Sequence, residues 1–205
     1  MTLEVIAIDG PVGSGKSTVA RALAGQLGWS FLDTGAMYRA VTAEVLFRGA
    51  DPLDEAAVVE IAQHATIETL PTVSIDGRFV GDVIRSPKVN DAVSVVAAYP
   101  QVRRAMVRQQ RNFARHQSQG TVVEGRDIAT IVFPDARLKI FLTATIDERS
   151  RRRHDEDPQS IRRRDSIDSE RKHSPLRQSN TAKMIDTTGR SVNEVVQEIL
   201  ACLKE

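Results

Sequence analysis

Val5-Ile6-Ala7-Ile8-Asp9-Gly10-Pro11-Val12-Gly13-Ser14-Gly15-Lys16-Ser17 holds the reading on which the rest of the chain turns. Its first four residues are an uninterrupted apolar run stopped by Asp-Gly-Pro, the pattern of a short strand buried on both faces of a parallel sheet. Residues 10–17 match the pattern G-x-x-x-x-G-K-[ST]. Val19, Ala20, Leu23, Ala24 and Leu27 then recur at helical spacing with Gly28 as a stop, which predicts a helix over 17–27. Strand, glycine-rich turn and helix in that order make a phosphate cradle. Glycines let successive backbone N–H groups turn inward around anionic oxygens, and the helix N-terminus adds partial positive charge. Lys16 would reach the β- and γ-phosphates of a nucleoside triphosphate, and the Ser17 hydroxyl would coordinate its Mg²⁺. Both flanks argue against a glycine-rich turn that binds nothing.

Outward from this unit the chain keeps alternating. Phe31-Leu32 predicts a strand ending at Asp33-Thr34-Gly35, and residues 37–48 a helix. Thr121-Val122-Val123, Leu138-Lys139-Ile140-Phe141-Leu142 and Met184-Ile185 predict further strands. Val192, Val195, Val196, Ile199, Leu200 and Leu203 form the apolar stripe of a last helix. Strands alternating with helices predict an α/β fold, an open parallel sheet covered on both faces. Two regions interrupt it. Residues from about 51 to 100 contain Asp76-Gly77 between extended residues, a hairpin signal, and are expected to form an inserted subdomain. Residues from about 148 to 178 are polar and Arg-rich, and are expected to form a mobile flap. The core is then expected over 1–50, 101–147 and 179–205.

Composition narrows the function. The chain has 205 residues, 41% hydrophobic and 27% charged, which describes an ordinary globular domain. No apolar stretch approaches the roughly 20 residues of a membrane helix. With the first motif beginning at Gly10 no cleavable leader is expected, and the lone Cys202 leaves no internal disulfide or cysteine-built zinc site. A cytoplasmic location is the expectation. The net charge of +1 and only nine aromatic residues argue against a nucleic-acid partner. Yet 22 of the 28 basic residues are Arg, whose planar fork matches phosphate two bonds at a time. Between residues 149 and 177, ten Arg or Lys stand against six Asp or Glu. His64, His116, His154 and His173 lack metal-ligand spacing. No Asn/Thr-Lys-x-Asp motif suggests a GTPase, and no apolar strand ends in the acidic pair of a motor ATPase. The Arg-rich flap suggests instead a kinase that must hold two anionic substrates together and neutralise them with Arg.

Four further segments specify the acceptor: Asp33-Thr34-Gly35-Ala36-Met37-Tyr38-Arg39, Tyr99-Pro100-Gln101-Val102-Arg103, Glu124-Gly125-Arg126-Asp127, and Arg164-Asp165-Ser166-Ile167-Asp168-Ser169-Glu170-Arg171. In this order, with Val132-Phe133-Pro134-Asp135-Ala136 and Asp186-Thr187-Thr188, they resemble the bacterial cytidylate kinase family over nearly the whole chain. The resemblance implies a three-layer P-loop kinase fold with an inserted NMP-binding subdomain and a short Arg-rich lid. It implies ATP- and Mg²⁺-dependent phosphorylation of CMP and dCMP by a monomer. ATP would be held by Gly10, Pro11, Val12, Gly13, Ser14, Gly15, Lys16, Ser17 and Thr18. The CMP phosphate would fall to Arg39, Arg126 and Arg171, the cytosine edge to Arg103 and Asp127 with Ser94 and Thr34 assisting, and the ribose to Asp168 with Arg164 nearby. Tyr38 would pack beside the nucleotide. Of the lid run Arg149, Arg151, Arg152 and Arg153, the i, i+4 pair Arg149 and Arg153 is expected to join Lys16 and Arg126 in catalysis.

Several of these residues also have plain structural alternatives. Arg103 could continue the solvated helix face of Arg104, Arg108 and Arg111, and Asp168 could sit in a weak surface ion pair. Asp9 and Glu124 end strands where they could hold Mg²⁺-bound water. Two departures from the family pattern stand out: Ala129 replaces a frequent Gly, and the lid is short, with Pro158 expected to break a helix.

Overall fold

The computed structural model describes residues 4–154, 157–172 and 174–203, so that Asp155 and Glu156 of the short lid stretch, and His173, lie outside it. The chain divides into two compact units: residues 1–32 with 113–205, and residues 33–112.

The first unit is built on a five-stranded sheet in the order β2-β6-β1-β7-β8. Its strands are β1 (Val5–Asp9), β2 (Ser30–Asp33), β6 (Thr121–Gly125), β7 (Leu138–Thr143) and β8 (Lys183–Asp186). The pairings of β1 with β6 and β7, and of β7 with β8, are parallel. Every residue of β1 is buried, as its continuous apolar run requires of a central strand. Helix α1 (Lys16–Leu27) turns Val19, Ala20, Leu23 and Ala24 inward and stops at Gly28, whose φ of 65° is the left-handed conformation glycine accepts without strain. Helix α8 (Val192–Cys202) starts at a capping box of Ser191 and Glu194 and buries Val195, Val196 and Ile199. These stripes meet Ile6, Ile8, Val122, Ile140, Leu142 and Ile185 of the sheet in one core. Because β6 lies on one side of β1 and β7 on the other, the sheet reverses its order at β1, and the loop leaving its carboxyl end lies where open α/β sheets bind ligands.

The second unit carries helices α2 (Thr34–Phe47), α3 (Glu55–His64), α4 (Pro87–Val96) and most of α5 (Pro100–Arg115), with a small antiparallel sheet of β3 (Ile67–Glu68), β4 (Ser74–Ile75) and β5 (Arg78–Phe79). The Asp-Gly hairpin forms as expected: Asp76 and Gly77 have φ of 50° and 76°, the two positive values of a type I′ turn. Helix α2 begins three residues before its apolar pattern suggests, because the Asp33 side chain accepts the Ala36 N–H and caps it. Its small residues Ala36, Ala40 and Ala43 pack with Ile75, Val80, Ile84 and Val89.

Candidate active site

The loop after β1 is shaped by close approach. A Cβ on Gly10 would lie 2.1 Å from the Leu142 carbonyl oxygen, and one on Gly13 would lie 2.9 Å from the Arg149 Cβ, so only glycine lets the loop lie this near β7 and α6 (Ile146–Arg152). Lys16 is the first residue of α1, and its Nζ donates to the Pro11 carbonyl at 2.7 Å. Burial lowers the ammonium to about 7, Arg126 pushes it the same way, and Glu124, Asp9 and Asp168 oppose them. Ser17 donates its hydroxyl to Glu124 Oε1 at 2.5 Å, so the expected cation ligand and a strand-end carboxylate do stand together. Asp9 is different. Its two oxygens accept the N–H groups of Ile128 and Ala129 at 2.9 and 2.8 Å, fixing the π-helical turn Ile128–Val132 that follows Arg126 and Asp127. Burial raises the Asp9 carboxyl to about 6 despite these two bonds.

The flap is two helices, α6 and α7 (Pro158–Ser169). Pro158 starts α7 rather than breaking a helix: it sits at the first turn, where its missing N–H costs nothing, with Asp157 as the cap. Ile161 is fully buried and anchors α7. Arg149 is also buried; it donates to the Val12 carbonyl at 3.1 Å and pairs with Asp165, whose other oxygen accepts the Val12 N–H at 3.3 Å. Arg153 caps α6 instead of continuing it, so the i, i+4 face expected of Arg149 and Arg153 ends at the helix boundary. Burial holds Arg153 below the usual arginine range, and so does neighbouring Arg126. Arg164 is lowered by burial and then by Arg153.

Arg126, Asp168 and Arg171 form a triad: Arg126 Nε donates to Asp168 Oδ2 at 2.8 Å, and Arg171 pairs with Oδ1. Burial alone would raise Asp168, but Arg126 and Arg171 hold it below the usual carboxylate range. Asp127 is buried beside this cluster in sequence. The bland alternative for Asp168, a solvated ion pair, is excluded by the burial of its side chain.

The second unit gathers its own set. Arg103 is buried, not part of the exposed stripe of Arg104 and Arg108; its guanidinium lies 5.3 Å from the Tyr38 ring centroid and donates to the Ala97 carbonyl at 3.1 Å. Arg39 donates to Asn90 Oδ1 at 2.6 Å and to the Ile84 carbonyl at 3.0 Å. Thr34 is buried at the first turn of α2, and Ser94 is half-buried on α4. Thr18 is exposed on α1.

Sequence reasoning missed Asp165, Asn90 and Arg152 as partners in these clusters. Asp165 stood inside a motif but beside so many Arg that nothing distinguished it from a solvated counter-charge.

With this geometry in hand, comparison with known proteins is informative. The family model described as cytidylate kinase matches residues 6–205. A relative named cytidylate kinase from Geobacillus kaustophilus (strain HTA426) is 45% identical, the match covering 98% of this chain and 96% of that one. A second of the same name, from Caldanaerobacter subterraneus subsp. tengcongensis, is 43% identical over 98% of this chain and 94% of its own. Among solved structures, an uncharacterized protein from Eubacterium ventriosum ATCC 27560 is similar in fold, with a TM-score of 0.50, 15% identity and coverage of 98% of this chain and 99% of that one.

Proposed function

The chain belongs to the cytidylate kinase family, and from that premise we propose how its side chains divide the work. It is a nucleoside monophosphate kinase that phosphorylates CMP and dCMP to their diphosphates. The loop from Gly10 to Thr18 takes the donor triphosphate, ATP, with Lys16 on the phosphates in flight. Arg126, Arg149 and Arg153 neutralise the charge that gathers there. Arg39, Arg126 and Arg171 hold the acceptor phosphate; Arg103 and Asp127, with Ser94 and Thr34, read cytosine; Asp168 and Arg164 hold the ribose, and Tyr38 packs beside the nucleotide. The protein acts as a monomer in the cytoplasm, without a nucleic-acid or membrane partner; among the described residues no helix is long and apolar enough to cross a membrane.

The observation that carries this reading is electrostatic. Burial lowers both Arg153 and Arg164, Arg126 pushes on each of them, and Arg153 pushes on Arg164. Asp165 and Asp168 offset part of that repulsion at Arg164, and a bound polyphosphate would offset more of it. Because the acceptor phosphate oxygen is already a nucleophile at neutral pH, no strong side-chain base is required; positioning and charge stabilisation suffice.

Mg²⁺ fits the donor set. A hydroxyl and a carboxylate at Ser17 and Glu124 are hard oxygen groups, and among the described residues no trio of His, Cys, Asp or Glu could hold a metal alone. Ser17 would hold the ion, with the Glu124 carboxylate beside it. When bound, Mg²⁺ would supply positive charge that offsets that of the phosphates.

The test is ADP formation from ATP and Mg²⁺ with CMP, dCMP, UMP, AMP or GMP as acceptor. Activity confined to CMP and dCMP is expected, and silence with every acceptor from folded protein would overturn the reading. Asp127→Ala is expected to narrow the CMP over UMP ratio of kcat/KM by roughly 10–100-fold, the worth of one charge-assisted hydrogen bond to the cytosine amino group. An unchanged ratio would remove Asp127 from base recognition.

A further inference from the structure

Residues 187–190 follow β8 and have no part in the roles assigned above, yet one side chain there reaches three elements at once. Thr187 is 2% exposed. Its N–H donates to the Thr143 carbonyl at the end of β7 at 2.9 Å. Its hydroxyl lies 3.0 Å from that same oxygen and 3.1 Å from the Ser14 carbonyl in the phosphate loop. On its other side Arg152 grips it twice, Nη1 donating to Oγ1 at 2.8 Å and Nη2 to the Thr187 carbonyl at 2.6 Å. The remaining Nε of Arg152 donates to Glu148 Oε1 at 2.8 Å, so the guanidinium is fixed on both edges.

The consequence lies in the peptide unit joining Ser14 to Gly15. In a planar trans peptide the C=O and N–H point in opposite directions. Holding the Ser14 carbonyl toward Thr187 therefore aims the Gly15 N–H away from it, the inward orientation a phosphate cradle needs. Arg152 follows the same fixed point: its Nη1 would lie 3.3 Å from a Cβ on Gly15, so its charge rests against the residue that precedes Lys16. The single hydroxyl proton of Thr187 is shared between the Thr143 and Ser14 carbonyls, 3.0 and 3.1 Å away, so the side chain ties the loop to the end of β7.

We propose that Thr187 is a positioning residue for the donor triphosphate, setting both the Ser14–Gly15 peptide of the phosphate loop and the Arg152 guanidinium beside it. This rests on the reading of that loop as the ATP site. Arg152, held by a residue 35 positions further along the chain, is then a lid cation set against the loop at Gly15, in addition to the arginines named above.

Steady-state kinetics with ATP and CMP varied separately, alongside the thermal midpoint, test the proposal on three variants. Thr187→Val keeps the shape and the backbone bonds but loses the hydroxyl. It is expected to lower kcat/KM for ATP about tenfold while KM for CMP stays within about twofold. Thr187→Ser keeps the hydroxyl and is expected to restore ATP kinetics to within about threefold of the wild type. Arg152→Lys keeps the charge without the fork and is expected to lower kcat/KM for ATP as Thr187→Val does, which tests the network even if the valine variant folds poorly. Unchanged ATP kinetics in Thr187→Val, equal losses for both substrates, or a serine variant no better than valine would each overturn the proposal. A wild type that forms no ADP from ATP and CMP removes the kinase reading and this inference with it; an active wild type matched by Thr187→Val removes the inference alone.

Discussion

Lys16→Ala is expected to cut turnover by about 10²–10³-fold or more while CMP affinity stays within about twofold, because the lost group acts on the transferring phosphoryl and not on the acceptor. Lys16 heads α1 with its stem buried and its Nζ turned back onto the Pro11 carbonyl, so the amine is already directed into its own loop. Alanine removes the cation and leaves the loop backbone in place. Rate and binding therefore separate: turnover by coupled assay, CMP binding by calorimetry. A variant that loses CMP binding instead would show that Lys16 serves the acceptor.

The same residue sets a pH dependence. Burial and Arg126 lower its ammonium to about 7, whereas a bound triphosphate would supply the negative charge that raises it again. Binding then takes up a proton whenever the pH lies above 7 and below the bound-state value. ATP affinity should fall with rising pH across that window, by up to about tenfold per pH unit. Lys16→Arg, which stays protonated, should flatten the slope. A wild-type affinity independent of pH between 7 and 9 would mean that the amine stays charged in the free protein.

Local features are legible in the sequence, and long-range ones are not. The strand, turn and helix around Gly10 are set by residues within a few positions of one another, and so is the Asp76-Gly77 hairpin. The order of strands is not local: β1 pairs Val5 with Thr121 on one side and Ile6 with Leu138 on the other, and no periodicity encodes those partners. Arg103 shows the limit within one helix. A neighbour one position along points about 100° away, so Arg104 is exposed while Arg103 is buried on Tyr38, and charge alone could not separate them. Asp9 could be read only as a strand-end carboxylate until the backbone of Ile128 and Ala129 was seen to fill both its oxygens. The lid was hardest. A run of Arg among carboxylates reads as solvated, and only folding decides that Arg149 goes to Asp165, Arg152 to Thr187 and Arg171 to Asp168.

Asp168→Ala should show how much that last choice matters. The Asp168 side chain is 7% exposed and that of Arg171 8%, so deleting the carboxylate takes a partner from two cations, Arg171 deeply buried and Arg126 partly so. Breaking a buried ion pair by removing one partner costs about 3–5 kcal/mol. If the lid carries the whole cost, kcat/KM for CMP falls by between about 10²-fold and a few thousand-fold; if the fold carries it, the thermal midpoint falls instead. Asp168→Asn keeps one oxygen for one arginine and should lie between alanine and wild type. The sign with pH is fixed by the direction of the shift. Because Asp168 is held below the usual carboxylate range, its stabilising contribution is complete above that range and is lost only as pH falls through the lowered value. The wild type and Asp168→Ala should therefore differ most near neutrality and converge in acid. A gap that persisted unchanged into strong acid would mean the carboxylate is not the group that holds the two arginines.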